Sequence, residues 1–168
     1  VYGATDEAYI ADIYYAASAQ IVAKAAEVLG LEETRQEYQK IADRQWQVVK
    51  EEYFTATGRC AVKTQTGLIL ALKYHLSENE ELTKQMLQKL LRDNKNKLNT
   101  GFVGTPLLCN VLTDHGMTDA AYRLLLNEEY PGWLHEVKLG ATTVWERWNS
   151  LDESGHVSST GMNSLNHY

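Results

Sequence analysis

An all-α fold of antiparallel helix hairpins is predicted by three features of this sequence. Apolar residues recur at steps of three and four through most of the chain ahead of Glu128, the period of an α-helix with one buried face. Only two prolines are present, so little interrupts a helical backbone. Turn-forming residues separate the periodic stretches by short intervals, which makes neighbouring helices antiparallel.

The first helix is expected from Ala8 to Leu29, with Ile10, Ile13, Tyr14, Ala17, Ile21, Ala25 and Val28 facing inward. Thr5, Asp6 and Glu7 supply its start signal and Gly30 its stop. A second runs from about Glu32 to Phe54 and turns Tyr38, Ile41, Ala42, Gln45, Val48 and Val49 inward. Thr55 to Arg59 reads as loop. Gln65 to Leu76 then presents Leu68, Ile69, Leu72 and Leu76 at helical spacing. Ser77, with Glu80 three positions on, forms a capping-box pattern for a fourth helix that buries Leu82, Met86, Leu87, Leu90 and Leu91. After a polar run, Thr105-Pro106 predicts an N-cap with Pro at the first helical position. Leu107, Leu108, Val111 and Leu112 face inward from that helix, Gly116 breaks it, and Thr118 opens another through Tyr122 and Leu125. Three successive pairs describe either a helical solenoid or part of a ring of paired helices. A repeating Trp-x-x-Leu-Gly-x-x-Tyr signature is absent, which argues against a tetratricopeptide array.

Totals narrow the function classes. The chain has 168 residues, enough for one core, and its 44% hydrophobic and 23% charged composition is that of a soluble globular protein. Acidic residues outnumber basic ones, 22 to 16, and no Lys/Arg stripe follows a phosphate backbone, so nucleic acid is not an expected partner. No apolar run is long enough for a membrane span, and Val1 to Asp6 has no basic n-region. Cys60 and Cys109 form no C-x-x-C pattern and have no zinc-like His spacing, so reduced thiols and a cytoplasmic setting are expected. No cofactor or metal is indicated.

Composition changes after Glu128, where Tyr130, Trp133, Trp145, Trp148 and Tyr168 mix with glycines and with His135, His156 and His167. An aromatic, aperiodic segment of this kind suits the wall of a site. Its sharpest cluster is Thr142-Thr143-Val144-Trp145-Glu146-Arg147-Trp148. A helical turn or bend there brings the two indoles together with Glu146 alongside. Sugars carry an apolar C–H face and a rim of hydroxyls, so indoles beside a carboxylate match them chemically. The plainer alternative makes both tryptophans core anchors and Glu146 a solvated partner of Arg147. Gly101-Phe102-Val103-Gly104-Thr105 precedes a helix N-terminus whose N–H groups suit a polar ligand. It lacks a P-loop ending, so a tight turn is the simpler account. His167 suits donation to a hydroxyl, or a satisfied structural role. His135-Glu136 is not a zinc signature, and there is no Gly-x-Ser-x-Gly elbow.

Taken in order, Gln65-Thr66-Gly67, Thr100-Gly101-Phe102-Val103-Gly104-Thr105-Pro106, Ala121 to Leu126, Tyr130-Pro131, Gly140 to Trp148 and Gly161-Met162-Asn163-Ser164-Leu165-Asn166-His167-Tyr168 resemble the bacterial α-L-rhamnosidases of the inverting type. The resemblance covers nearly the whole chain. It implies an (α/α)6 barrel, of which these three hairpins form roughly half, with residues 1–168 as a single partial domain. It also implies hydrolysis of terminal α-L-rhamnosyl residues with inversion, in which an acid protonates the leaving oxygen and a carboxylate opposite activates water, the two carboxyl groups standing about 6.5–9.5 Å apart to admit that water. By motif position, Glu146 resembles the general base, His167 a rhamnose-contacting residue, and Trp145 and Trp148 pocket-shaping residues.

In that family the general acid lies in an Asp/Glu-rich segment ahead of the region matched by Val1, and a closing helix follows the Asn166-His167-Tyr168 motif. The expected partners are therefore a rhamnose-containing glycoside and the remainder of the enzyme. Helix faces left uncovered by a partial ring are expected to favour self-association. Alternatives are another helical-ring glycosidase or polysaccharide lyase, or a non-catalytic helical module that binds protein through the terminal aromatics.

Overall fold

The computed structural model describes residues 3–157 and 163–167 and is helical through most of its length. Six helices form three hairpins: α1 (Glu7–Val28) with α2 (Glu32–Tyr53), α3 (Gln65–Lys73) with α4 (Glu80–Asp93), and α5 (Thr105–Asp114) with α6 (Thr118–Leu125). A short α7 (Trp133–Lys138) follows. Among the described residues, extended pairing is limited to two isolated antiparallel bridges, Phe54 with Cys60 and Leu151 with Val157.

The hairpins pack side by side in chain order. Besides pairing within hairpins, α1 packs on α3 and α3 on α5, so the odd-numbered helices make one layer and their partners stand behind them. α3 sits in the middle of that layer and is buried from Gln65 to Leu72, on every face. An amphipathic helix has one wet side; an all-buried helix is flanked on several sides. Around it gather Ile13, Val49, Leu87, Leu91, Leu108, Leu112 and Leu124, which form one continuous core.

Local chemistry sets the boundaries. The Asp6 carboxylate accepts from the Tyr9 N–H and caps α1, and the Thr64 hydroxyl does the same for α3 through Gly67. Gly30, at φ +69°, makes the turn between α1 and α2 in the left-handed region that favours glycine. Three expectations need correction. α4 starts at Glu80 because Asn79, not Ser77, caps it by accepting from Leu82 N–H. Ser77 lies outside the helix, where its hydroxyl donates to the Gly58 carbonyl at 2.6 Å and accepts from Asn79 N–H at 3.0 Å. The N-cap of α5 is Gly104, which moves Thr105 inside the helix.

The third correction concerns α1 and α2. Ile13 and Ala17 are buried as expected, but Ile21 is 67% and Val28 86% exposed, and Ala25 is exposed too. The buried face instead runs through Tyr9, Ile13, Ala16, Ala19, Ala23 and Ala26. Because α1 is apolar on two sides, periodicity alone picks a stripe that straddles them. Val48 of α2 is likewise exposed, whereas Ala42 and Val49 are buried. No described helix is long and apolar enough to cross a membrane.

Candidate active site

The turn at 100–105 and the segment 142–149 are built separately and then fastened together. In the turn, Gly101 O accepts from the N–H groups of Gly104 (3.2 Å) and Thr105 (3.0 Å) and from the Thr105 hydroxyl at 2.9 Å. Those N–H groups are thus spent on the turn itself, which supports the tight-turn reading over a polar-ligand cradle. Gly104 has to be small: a Cβ there would lie 2.4 Å from Thr66 Oγ1. Close packing on α3 fixes the turn, and Phe102 is displayed from it with 57% exposure.

Residues 142–149 form bends rather than a helix, and they run antiparallel to 163–167. His167 N–H donates to Val144 O at 3.0 Å and Glu146 N–H to Ser164 O at 2.9 Å, while the Thr143 hydroxyl donates to Leu165 O. In return Ser164 N–H donates to Glu146 Oε2 at 2.8 Å, which holds the carboxylate in one orientation. Asn163 closes the brace: it donates to Ser150 O at 3.0 Å and accepts from the Ser150 hydroxyl at 2.6 Å.

Trp148 joins the two pieces. Its indole N–H donates to Thr100 O at 2.7 Å in a buried position, and its ring meets Trp133 edge-on with centroids 5.1 Å apart, a favourable aromatic geometry. Between turn and segment opens a cavity of about 920 Å³. Trp133, Trp145 and Trp148 line it with Glu146, and Phe102, Pro106 and Val144 complete its apolar wall.

The structure therefore brings together most of the residues singled out from sequence. Trp145 and Trp148 are 7% and 9% exposed, so they are core anchors and cavity walls at once. Glu146 is one-fifth exposed, and its Oε1 lies 3.9 Å from the Arg147 guanidinium, too far for a hydrogen bond. The His167 ring packs on Phe102 with centroids 5.5 Å apart, which puts it next to a residue of the cavity wall. Gly161, Met162 and Tyr168 of the terminal motif lie outside the described residues.

Sequence reading missed two residues of this region, of which Trp133 lines the cavity. Trp133 opens α7 and supplies the ring partner of Trp148; its signal was only membership in the aromatic crowd. Glu136, one turn further on, is 3% exposed, and its Oε1 is buried without a hydrogen-bond partner among the described residues. Burial pushes its carboxyl up to about 7, against the opposing pull of the Trp145 backbone N–H. Nothing in the pattern of a six-residue helix forecasts which of its polar side chains is covered.

Among the described residues no group of three or more His, Cys, Asp or Glu side chains is arranged to hold a metal ion. What the site offers is an indole-lined cavity with one oriented carboxylate, carried on packed helix hairpins. That combination defines part of a helical-barrel glycosidase domain.

Comparison with known proteins makes the class specific. The family described as bacterial alpha-L-rhamnosidase 6 hairpin glycosidase domain matches residues 1–168, and the chain belongs to that family. An α-L-rhamnosidase of Formosa agariphila is 40% identical over 169 residues, which is 99% of this chain and 18% of the relative. The crystal structure of an Aspergillus terreus α-L-rhamnosidase superposes with a TM-score of 0.93 at 32% identity, covering 98% of this chain and 20% of that one. A Streptomyces avermitilis α-L-rhamnosidase solved with L-rhamnose superposes with a TM-score of 0.88 at 35% identity, covering 95% and 16%. The chain thus spans about a fifth or less of the length of these relatives.

Proposed function

We propose that this chain supplies the general-base side of an α-L-rhamnosidase active site, with residues 1–168 forming one partial domain of the enzyme. The observation that carries this reading is the position of Glu146: a carboxylate oriented by Ser164 N–H on the wall of an indole-lined cavity. In the proposed reaction Glu146 takes a proton from a water molecule as that water attacks the anomeric carbon, and an acid outside these residues protonates the departing oxygen. Trp145 and Trp148 shape the pocket against the sugar's C–H face, and His167 bonds a sugar hydroxyl.

A base without its acid leaves the departing alkoxide unprotonated. The 168 residues alone are therefore expected to hydrolyse aryl α-L-rhamnosides weakly or not at all, and robust release of nitrophenol by them would count against this division of labour. In a polypeptide that also contains the remainder of the barrel, Glu146→Gln is expected to lower kcat by about 10²–10⁴. Proton NMR of the first sugar released from an α-L-rhamnoside is expected to show the β-anomer. A first-formed α-anomer, or full activity in Glu146→Gln, defeats the reading.

Two further parts of the proposal concern setting. Cys60 and Cys109 are free thiols, which suits a reducing, cytoplasmic environment. The exposed apolar face of α1 suits self-association of the chain when no other hairpin covers it.

A further inference from the structure

Glu146 stands on a stretch of chain without regular secondary structure, so other parts of the fold have to hold it. On one side, Glu146 N–H donates to Ser164 O at 2.9 Å and Val144 O accepts from His167 N–H at 3.0 Å. Along a chain paired in this antiparallel way, alternate residues bond the partner and the residue between them turns its N–H to the other side. Trp145 N–H therefore faces away from 163–167, and among the described residues it meets no backbone carbonyl. What stands against it is the side-chain carboxyl of Glu136.

The sequence around Glu136 builds that contact. α7 has six residues, too few to persist on helix propensity alone, and it is fastened to the segment that follows it. Trp133, at its start, meets the Trp148 ring with centroids 5.1 Å apart. At its end, Gly140 N–H donates to Val137 O and Ala141 N–H to Glu136 O, each at 3.0 Å, the paired bonds of a Schellman turn. That turn reverses the chain, and Trp145 returns to Glu136, the one buried residue of α7.

Burying a carboxyl is costly where an apolar side chain could fill the same space. Glu136 is 3% exposed, its Oε1 has no hydrogen-bond partner among the described residues, and it is not one of the residues that line the cavity. Packing alone would be served better by Leu or Met. The group that its carboxyl serves is Trp145 N–H, one residue ahead of the carboxylate that activates water in the reading above.

We propose that Glu136 is a positioning residue for Glu146: its carboxyl receives Trp145 N–H and fixes the backbone on one side while Ser164 fixes it on the other. The inference rests on the general-base reading of Glu146 given above. In a polypeptide that also contains the remainder of the barrel, Glu136→Leu is expected to lower kcat on an aryl α-L-rhamnoside about 10- to 100-fold, the scale of a misplaced reacting group, with KM changed less than about threefold. Glu136→Gln keeps an acceptor oxygen and is expected to restore most of that rate. Unchanged kcat in Glu136→Leu, an equal fall in both variants, or a raised KM with kcat intact would each overturn the positioning role. A measurement on the unaltered chain needs no variant to fold: the ¹H shift of Trp145 N–H is expected to titrate together with the ¹³C signal of the Glu136 carboxyl, which separates it from titration of His135 or Glu146. A Trp145 N–H signal that stays in place while that carboxyl titrates would overturn the contact. Full activity in Glu146→Gln would instead overturn the general-base reading, and the positioning role with it. Activity lost in Glu146→Gln but unaffected in Glu136→Leu would overturn the positioning role alone.

Discussion

At the scale of single residues, Glu136 and Trp148 carry the most exposed physical commitments of the site region. Glu136 is a buried carboxyl whose proton is held up to about 7, above its ordinary value of 4.5. The native state therefore binds that proton more tightly than the unfolded chain does. Its contribution to stability is fully present below about pH 4.5 and is lost as pH rises through about 7. Glu136→Gln removes the charged form, so the variant is expected to be the more stable of the two at pH 8, by up to about 3 kcal/mol, and similar to the parent at pH 4. Urea unfolding at the two pH values checks this; equal differences at both would contradict it. Trp148→Phe keeps most of the ring burial but strands Thr100 O in a buried position. The expected cost is about 1–3 kcal/mol, measurable as a lower urea midpoint. A neutral result would mean that water or a shifted neighbour satisfies the carbonyl.

At the scale of elements, the turn that presents Phe102 depends on Gly104. A methyl group there meets Thr66 Oγ1 at 2.4 Å and Thr100 Cγ2 at 3.1 Å, inside a region with no slack. Gly104→Ala is expected to destabilise the chain by about 1–3 kcal/mol through overpacking, and thermal melting reads it directly. The same scale shows what the sequence made legible. Helix periodicity and breakers located three hairpins to within a few residues, because Gly30 and Gly116 act through local backbone chemistry. Which face of α1 is covered was not legible, since Ile21 and Val28 are as apolar as Ile13 and only tertiary packing separates them. The start of α4 slipped for a related reason: Ser77 fits a capping pattern, but its oxygen accepts from Asn79 N–H ahead of the helix and the Asn79 side chain caps instead. The Trp145-Glu146-Arg147-Trp148 segment was legible as a motif. Its pairing with 163–167 and the contribution of Trp133 were not, because they join positions far apart in sequence.

At the scale of the whole molecule, three hairpins pack in a row through their odd-numbered helices, and the family they belong to is a six-hairpin domain. The first helix of the row leaves Tyr15 57%, Ile21 67% and Val28 86% exposed, and its C-cap Leu29 71%, an apolar face larger than scattered surface residues require. Light scattering at increasing concentration is expected to show self-association of the chain, and Ile21→Lys with Val28→Lys is expected to suppress it. A strictly monomeric parent would contradict this account of the face. The central claim is that Glu146 and its flanking indoles form a rhamnoside-binding wall. Its most direct measurement is a titration of the ¹⁵N-labelled chain with L-rhamnose, followed at the indole N–H signals of Trp145 and Trp148 and the backbone N–H signals of Glu146 and His167. Saturable shifts at these positions, weakened in Glu146→Gln, are the predicted result. Signals that stay in place through the titration, or shifts confined to residues remote from the cavity, would contradict it.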